Sequence, residues 1–148
     1  MKAISISQPF CHHILTAGKD VENRDWPTSY RGDILLHASR KVPVTHQAYV
    51  RRHELFTGGI VGIAKIIDCV EVSASEWFSG PYGFVMTGQR AIPFIPCRGA
   101  PKIFVPDLYD VVMAMYQNDQ MPQQLAAQIL GLSPGHIGDI KRRNRGAA

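Results

Sequence analysis

Gly18-Lys19-Asp20-Val21-Glu22-Asn23-Arg24-Asp25-Trp26 sets a helix stop directly against a short strand. Upstream, Phe10, Ile14 and Ala17 recur at helical spacing, with Pro9 at the first helical position. Gly18 then ends the helix. Val21 to Arg24 reads as a strand, so Glu22 and Arg24, two apart, share a face. The stretch brings together an ammonium, a carboxylate, a guanidinium and an indole. These are groups that grip nucleobases and phosphates. The bland reading is a Lys19–Glu22 pair across a loop, contributing under about 1 kcal/mol.

The flanking sequence frames this stretch with further strands. Ala3 to Ser7 alternates as a strand, and Asp33 to Ala38 reads as a strand buried on both faces. Residues 43–55 predict a solvent-facing helix, broken by Gly58-Gly59. Ile60 to Val72, rich in Ile and Val, is the most strand-like segment. Ser75 to Phe78 predicts one helical turn. Tyr82 to Thr87, Ala91 to Ile95 and Lys102 to Val105 predict further strands. Short strands punctuated by Gly and Pro predict a small closed or half-closed β-barrel.

The character changes after Pro106. Helices are expected over Asp107 to Gln117 and Pro122 to Leu130. A third follows, capped by Ser133 with Pro134 at its first position. It runs into the basic stretch Lys141-Arg142-Arg143-Asn144-Arg145, and 146–148 are expected to fray. The expectation is an α+β chain: a β-barrel over 1–106 and a helical C-terminal extension over 107–148. Gln124 to Ile140 has helix-turn-helix spacing, which would direct the extension to DNA; the alternative is a plain helical cap.

Composition narrows the classes. With 148 residues, one domain is the default, and 45% hydrophobic content is ordinary for a globular protein. A net charge of +4 favours anionic partners without requiring them. Cys11, Cys69 and Cys97 are odd in number and far apart, which predicts free thiols in a reducing cytosol and no cysteine zinc site. The histidines are scattered, so no metal and no cofactor are expected. The N-terminus lacks a signal-peptide pattern and no stretch is long enough to span a membrane, so a cytoplasmic protein is expected.

Around the opening stretch, Trp26 and Tyr30 flank Pro27, and Trp26 is either a stacking platform or a barrel plug. Glu22 has Arg31 as an expected counter-ion. Gln8 either meets an anion at the first helix or caps that helix. His37 and Ser39 share a strand face as a candidate base and hydroxyl. Lys65 and Asp68 are expected near the same cleft. Lys102, Arg142, Arg143 and Arg145 are candidate phosphate contacts.

Three blocks carry a family resemblance. Ile4-Ser5-Ile6-Ser7-Gln8-Pro9-Phe10, the Gly18 to Pro27 stretch, and Tyr30-Arg31-Gly32-Asp33-Ile34-Leu35-Leu36-His37-Ala38-Ser39 resemble, in order, the opening, signature and strand motifs of ASCH domains. Gly59 to Val70, Tyr82 to Val85 and Pro101 to Phe104 follow in family order, so the resemblance covers about residues 3 to 106. It implies a PUA-like fold: a small mixed β-barrel with flanking helices and a cleft beside the signature. It also implies binding of RNA, or of other single-stranded nucleic acid, in a basic cleft. Some members are similar to amidohydrolases of N4-acetylcytidine that use a Lys, a Thr three residues on and a distant Glu. Here Lys19 matches, but Glu22 stands at the Thr position. Other members are similar to enzymes that cleave RNA, so the resemblance implies as the alternative function a hydrolase, ribonuclease or amidohydrolase, with Lys19 and Glu22 as catalytic groups.

Overall fold

A computed structural model describes residues 1–147. The elements are β1 (Ala3–Ile6), α1 (Phe10–Thr16), β2 (Val21–Arg24), β3 (Gly32–Ala38), α2 (Val44–Arg52), β4 (Gly59–Val70), β5 (Tyr82–Pro96), β6 (Ile103–Phe104), α3 (Tyr109–Gln117), α4 (Gln123–Leu130) and α5 (Pro134–Gly146). The strands form one six-stranded sheet in the order β2-β5-β4-β3-β1-β6. Among the described residues only the β1–β3 pair is parallel. The expected α+β class holds. The barrel is left open, since among the described residues no ladder joins β2 to β6.

Tyr82–Thr87 and Ala91–Ile95 are not two strands but one, the 15-residue β5. Gly88, at φ 64°, reads locally as a turn. The ladder with β4 absorbs it through register shifts at Ile60/Gly62, Ile63/Lys65 and Ile66/Asp68. Such bulges bend the strands and curl the sheet. Ser75 to Phe78 is a bare turn, closed by Phe78 N–H donating to Ser75 O at 3.1 Å.

Alternation in the strands builds a core on each sheet face. Ile4, Ile6, Ile34, Leu36 and Ala38 pack with Ile66, Phe84 and the α1 residues Cys11 and Ile14. Burial pushes the Cys11 thiol well above its ordinary range. The intervening Ala3 and Leu35 face the other way and pack with Ile60, Ile63 and Ile95. That second core is completed by Val112 and Met113 of α3, Ala126, Ala127 and Ile129 of α4, and Ile137 of α5. The helical extension is thus the cover of one sheet face. Gly131, at φ 67°, ends α4, and Ser133 Oγ accepts from His136 N–H to start α5. The helix reaches Gly146; of the segment expected to fray, Ala148 lies outside the described residues.

Ile137 is fully buried against the sheet-side core. Ile137→Ala should cost about 2–5 kcal/mol. Urea denaturation followed by circular dichroism should show this as a shift of one cooperative transition that includes the β-sheet signal.

Candidate functional site

The signature folds into a buried charge network. Lys19 is 3% exposed and Glu22 9%. Lys19 Nζ donates to Val21 O and lies 3.5 Å from Glu22 Oε2. Glu22 Oε1 lies 3.4 Å from Arg24 Nη2, which also donates to Ser5 O at 2.6 Å. Burial pushes the Glu22 carboxyl above its ordinary pKa, against the downward pull of Lys19 and Arg24. Arg31 is not the counter-ion of Glu22. It is exposed, 3.7 Å from Asp68, and donates to Thr28 O and Tyr30 O.

Lys19 and Glu22 face a cleft of about 360 Å³ whose other walls are Phe10, Asn23, Glu76, Trp77 and Ser79. Lys19 Nζ stands 6.0 Å from the Phe10 ring centre and 5.9 Å from that of Trp77. The cleft was expected to be basic. Its lining instead sets one lysine against two carboxylates, Glu22 and Glu76. Trp26 is not the aromatic wall: it packs edge-on against Phe84 at 5.0 Å within the α1-side core. Tyr30 joins that core, donating from its hydroxyl to Asp33 O. Lys102 Nζ lies 5.7 Å from the Trp26 ring, away from Lys19's walls.

Trp77 escaped the sequence reading because the chain returns to the signature from far away. Asn23 Nδ2 donates to Trp77 O at 2.9 Å, and Asn23 Oδ1 accepts from Ser79 and Gly80 N–H at 2.8 and 3.1 Å. Ser75 Oγ donates to Asp20. The polar residues between Lys19, Glu22 and Arg24 therefore tether the 73–80 loop. Phe78 seats on Gly83, where a Cβ would come within 2.8 Å of its ring and 2.7 Å of Val21. The one available signal was Asp20 and Asn23 themselves, short polar side chains that commonly tie loops.

The remaining candidates lie elsewhere. Gln8 is buried; its Oε1 accepts from His12 N–H at 3.0 Å and its Nε2 donates to Phe56 O at 2.9 Å, so it caps α1. His37 does not pair with Ser39. Its Nδ1 lies 2.9 Å from Ser5 Oγ of the neighbouring strand, and its Nε2 2.9 Å from Cys97 O. A carbonyl only accepts, so Nε2 carries the proton and the Ser5 hydroxyl donates to Nδ1. In the tail, Arg142 pairs with Asp139, and Arg145 stands 3.7 Å from Asp119, which also binds Lys141. Of Arg142, Arg143 and Arg145, only Arg143 lacks an ion-pair partner among the described residues. Among those residues, no cluster of three or more His, Cys, Asp or Glu side chains is arranged to hold a metal. No helix there is long and apolar enough to cross a membrane.

The model of the ASCH domain matches residues 4–128, reaching beyond the β-sheet to α3 and most of α4. The crystal structure of ASCH from Zymomonas mobilis is similar at 20% identity and a TM-score of 0.43, covering 87% of this chain and 92% of that one. No curated protein matches.

Removing one member of a buried charge network strands the others. Lys19→Met should therefore lower stability by about 3–5 kcal/mol in chemical denaturation. His13 stacks beside Trp77 at 5.6 Å, and its pKa lies below the ordinary imidazole value. Burial is the main cause, with His12, Lys19 and His46 adding like charge. As pH falls below about 6.5, the unfolded chain takes up a proton that folded His13 refuses. Melting temperature should drop from that pH downward, until the lowered pKa is reached, and His13→Gln should flatten the slope.

Proposed function

The chain belongs to the ASCH domain family, and from that premise we propose that it binds RNA by taking one nucleobase into the cleft between Phe10 and Trp77. The observation that carries this reading is the buried Lys19–Glu22 pair at the base of a cleft walled by two aromatic rings. Rings on the walls suit a planar base, and stacking of this kind is worth about 1–3 kcal/mol. Carboxylates accept from exocyclic amino groups, so Glu22 and Glu76 favour cytosine or adenine over uracil. Lys19, with two of its three N–H groups on Val21 O and Glu22, offers the third to a base carbonyl. The same carboxylates repel phosphate, so the base, and not the backbone, enters here.

A second reading has one specific support. Glu76, on the tethered loop, lines the cleft with Lys19 and Glu22, and so stands where an amidohydrolase on an N4-acylated cytidine would need a further carboxylate. Against it, the Lys19 ammonium donates to Val21 O and lies against Glu22, which leaves it a donor and not a base. Binding without turnover is therefore the function this cleft supports best.

Trp26→Phe leaves Trp77 as the only indole in the chain. Its fluorescence should be quenched by cytidine and by short single-stranded RNA, and Trp77→Ala should weaken binding by about tenfold or more. Unchanged affinity in Trp77→Ala would remove the base from this cleft. Incubation with N4-acetylcytidine should return it intact. Release of acetate that Glu76→Gln abolishes, with the fold retained, would replace binding by hydrolysis.

A further inference from the structure

A second cleft of about 480 Å³ lies away from Trp77, where the sheet face covered by the helical extension runs out. Ser5 and His37 are register partners in the parallel β1–β3 ladder and continue the face of Ala3 and Leu35. Past them, the face is roofed by the 97–101 segment in place of a helix, and Arg40 and Lys41 follow β3 into the same space.

The charge of this cleft differs from that of the Lys19 cleft. Arg40, Lys41 and Arg98 line it, with the Ser39 hydroxyl, and no carboxylate is among the lining residues. None of these three cations has an ion-pair partner among the described residues. Arg40 packs on neighbouring backbone, and the backbone that carries Arg98 is hydrogen-bonded. The Arg40 guanidinium lies along Gly58, its Nε 3.5 Å from where a Cβ would stand. Arg98 follows Cys97, whose carbonyl accepts from His37 Nε2 at 2.9 Å and whose N–H donates to Gly58 O at 3.2 Å. Because the Ser5 hydroxyl is spent on His37, that pair acts as a strut under the backbone of the segment that carries Arg98.

Like charges gathered in a concavity without counter-ions repel one another, and an anion relieves the repulsion. Two guanidiniums with an ammonium and a hydroxyl match the oxygens of a phosphate group. The geometry points to a phosphate-binding site formed by Ser39, Arg40, Lys41 and Arg98, with His37 as its positioning residue. Its ligand is a phosphate ester: a phosphodiester of single-stranded RNA, or the phosphate of a small metabolite. The site does not depend on what occupies the Lys19 cleft.

The test is an amide-shift titration of the full chain with inorganic phosphate, a nucleoside monophosphate, the matching nucleoside and a short RNA. Phosphate, monophosphate and RNA should move the amides of Ser39, Gly58, Arg98 and Gly99, and the nucleoside should not. Arg40→Gln with Arg98→Gln changes only exposed side chains and should weaken phosphate binding by about tenfold or more. It should also flatten the salt dependence of RNA binding by about 0.7 log unit for each backbone phosphate no longer neutralised. RNA binding far tighter than the monophosphate assigns the backbone as ligand; the reverse order assigns a small ester. His37→Gln should speed hydrogen exchange in 97–101 and weaken phosphate binding although it removes no permanent charge. The site is overturned if none of the phosphates moves those amides, or if the double variant binds them as tightly as the parent. Loss of RNA binding in Trp77→Ala alone, with the double variant unaffected, would sink this site and leave the base-binding reading standing.

Discussion

The fold depends on a side chain standing in for a missing strand pairing. The sheet order puts β2 at one edge and β1 near the other. Among the described residues no ladder joins them, yet Arg24 of β2 donates to the Ser5 carbonyl of β1 at 2.6 Å. Glu22 holds that guanidinium at 3.4 Å and Lys19 at 3.5 Å. The curled sheet is thus laced across its opening by a buried network of two cations and one anion. Such networks are weak stabilisers, because desolvation offsets much of the attraction. Here the upward shift of the Glu22 carboxyl, despite two cationic neighbours, shows burial outweighing attraction. What the network supplies is geometry. It fixes the distance across the gap and sets Lys19 and Glu22 together at the cleft, the lysine beside rings whose π faces tolerate a cation.

How much of this was legible in the sequence follows from whether each feature is local. The α1 stop, the β1 and β3 strands and the Ser133 cap depend on neighbours in the chain, and their patterns were readable. The placement of Lys19 beside Glu22 was readable too, since they stand three positions apart. Trp77 was not, because its position is set by hydrogen bonds from Asn23, 54 residues away. His37 illustrates the same limit. Alternation put it on one face with Ser39, but its partner came from the parallel neighbour β1, 32 residues upstream. Trp26 was ambiguous between platform and plug. Phe84, reached through the β2–β5 ladder, made it a plug. The two halves of β5 looked separate because Gly88 carries a turn conformation that the long partner strand overrides.

The positive charge of the chain is sorted, and the sorting is visible only in three dimensions. The most conspicuous basic run in the sequence, 141–145, is largely answered by Asp119 and Asp139. Lys141 is further engaged with Tyr116, donating to its carbonyl at 3.0 Å and lying 4.5 Å from its ring centre. The run therefore serves to dock α5 against α3 at least as much as to present charge. Arg40, Lys41 and Arg98 attract no notice in sequence, being isolated or merely paired. They become the concentrated positive feature only when β3's exit and the 97–101 segment converge.

Two clefts of opposite character then follow from one sheet. Residues alternating along β1 and β3 point to opposite faces, and Ser5 contributes to both systems by different atoms: its carbonyl to Arg24, its hydroxyl to His37. The Lys19 cleft combines aromatic walls with carboxylates, which suits a neutral planar group and rejects an anion. The other combines unpaired cations with the Ser39 hydroxyl and carries no carboxylate, which suits an anion. A ligand bearing both a base and phosphates would therefore be read by separate parts of the molecule. Because the strands between those parts carry the core on both faces, each site is built on rigid framework, and the loops at 73–80 and 97–101 supply the walls.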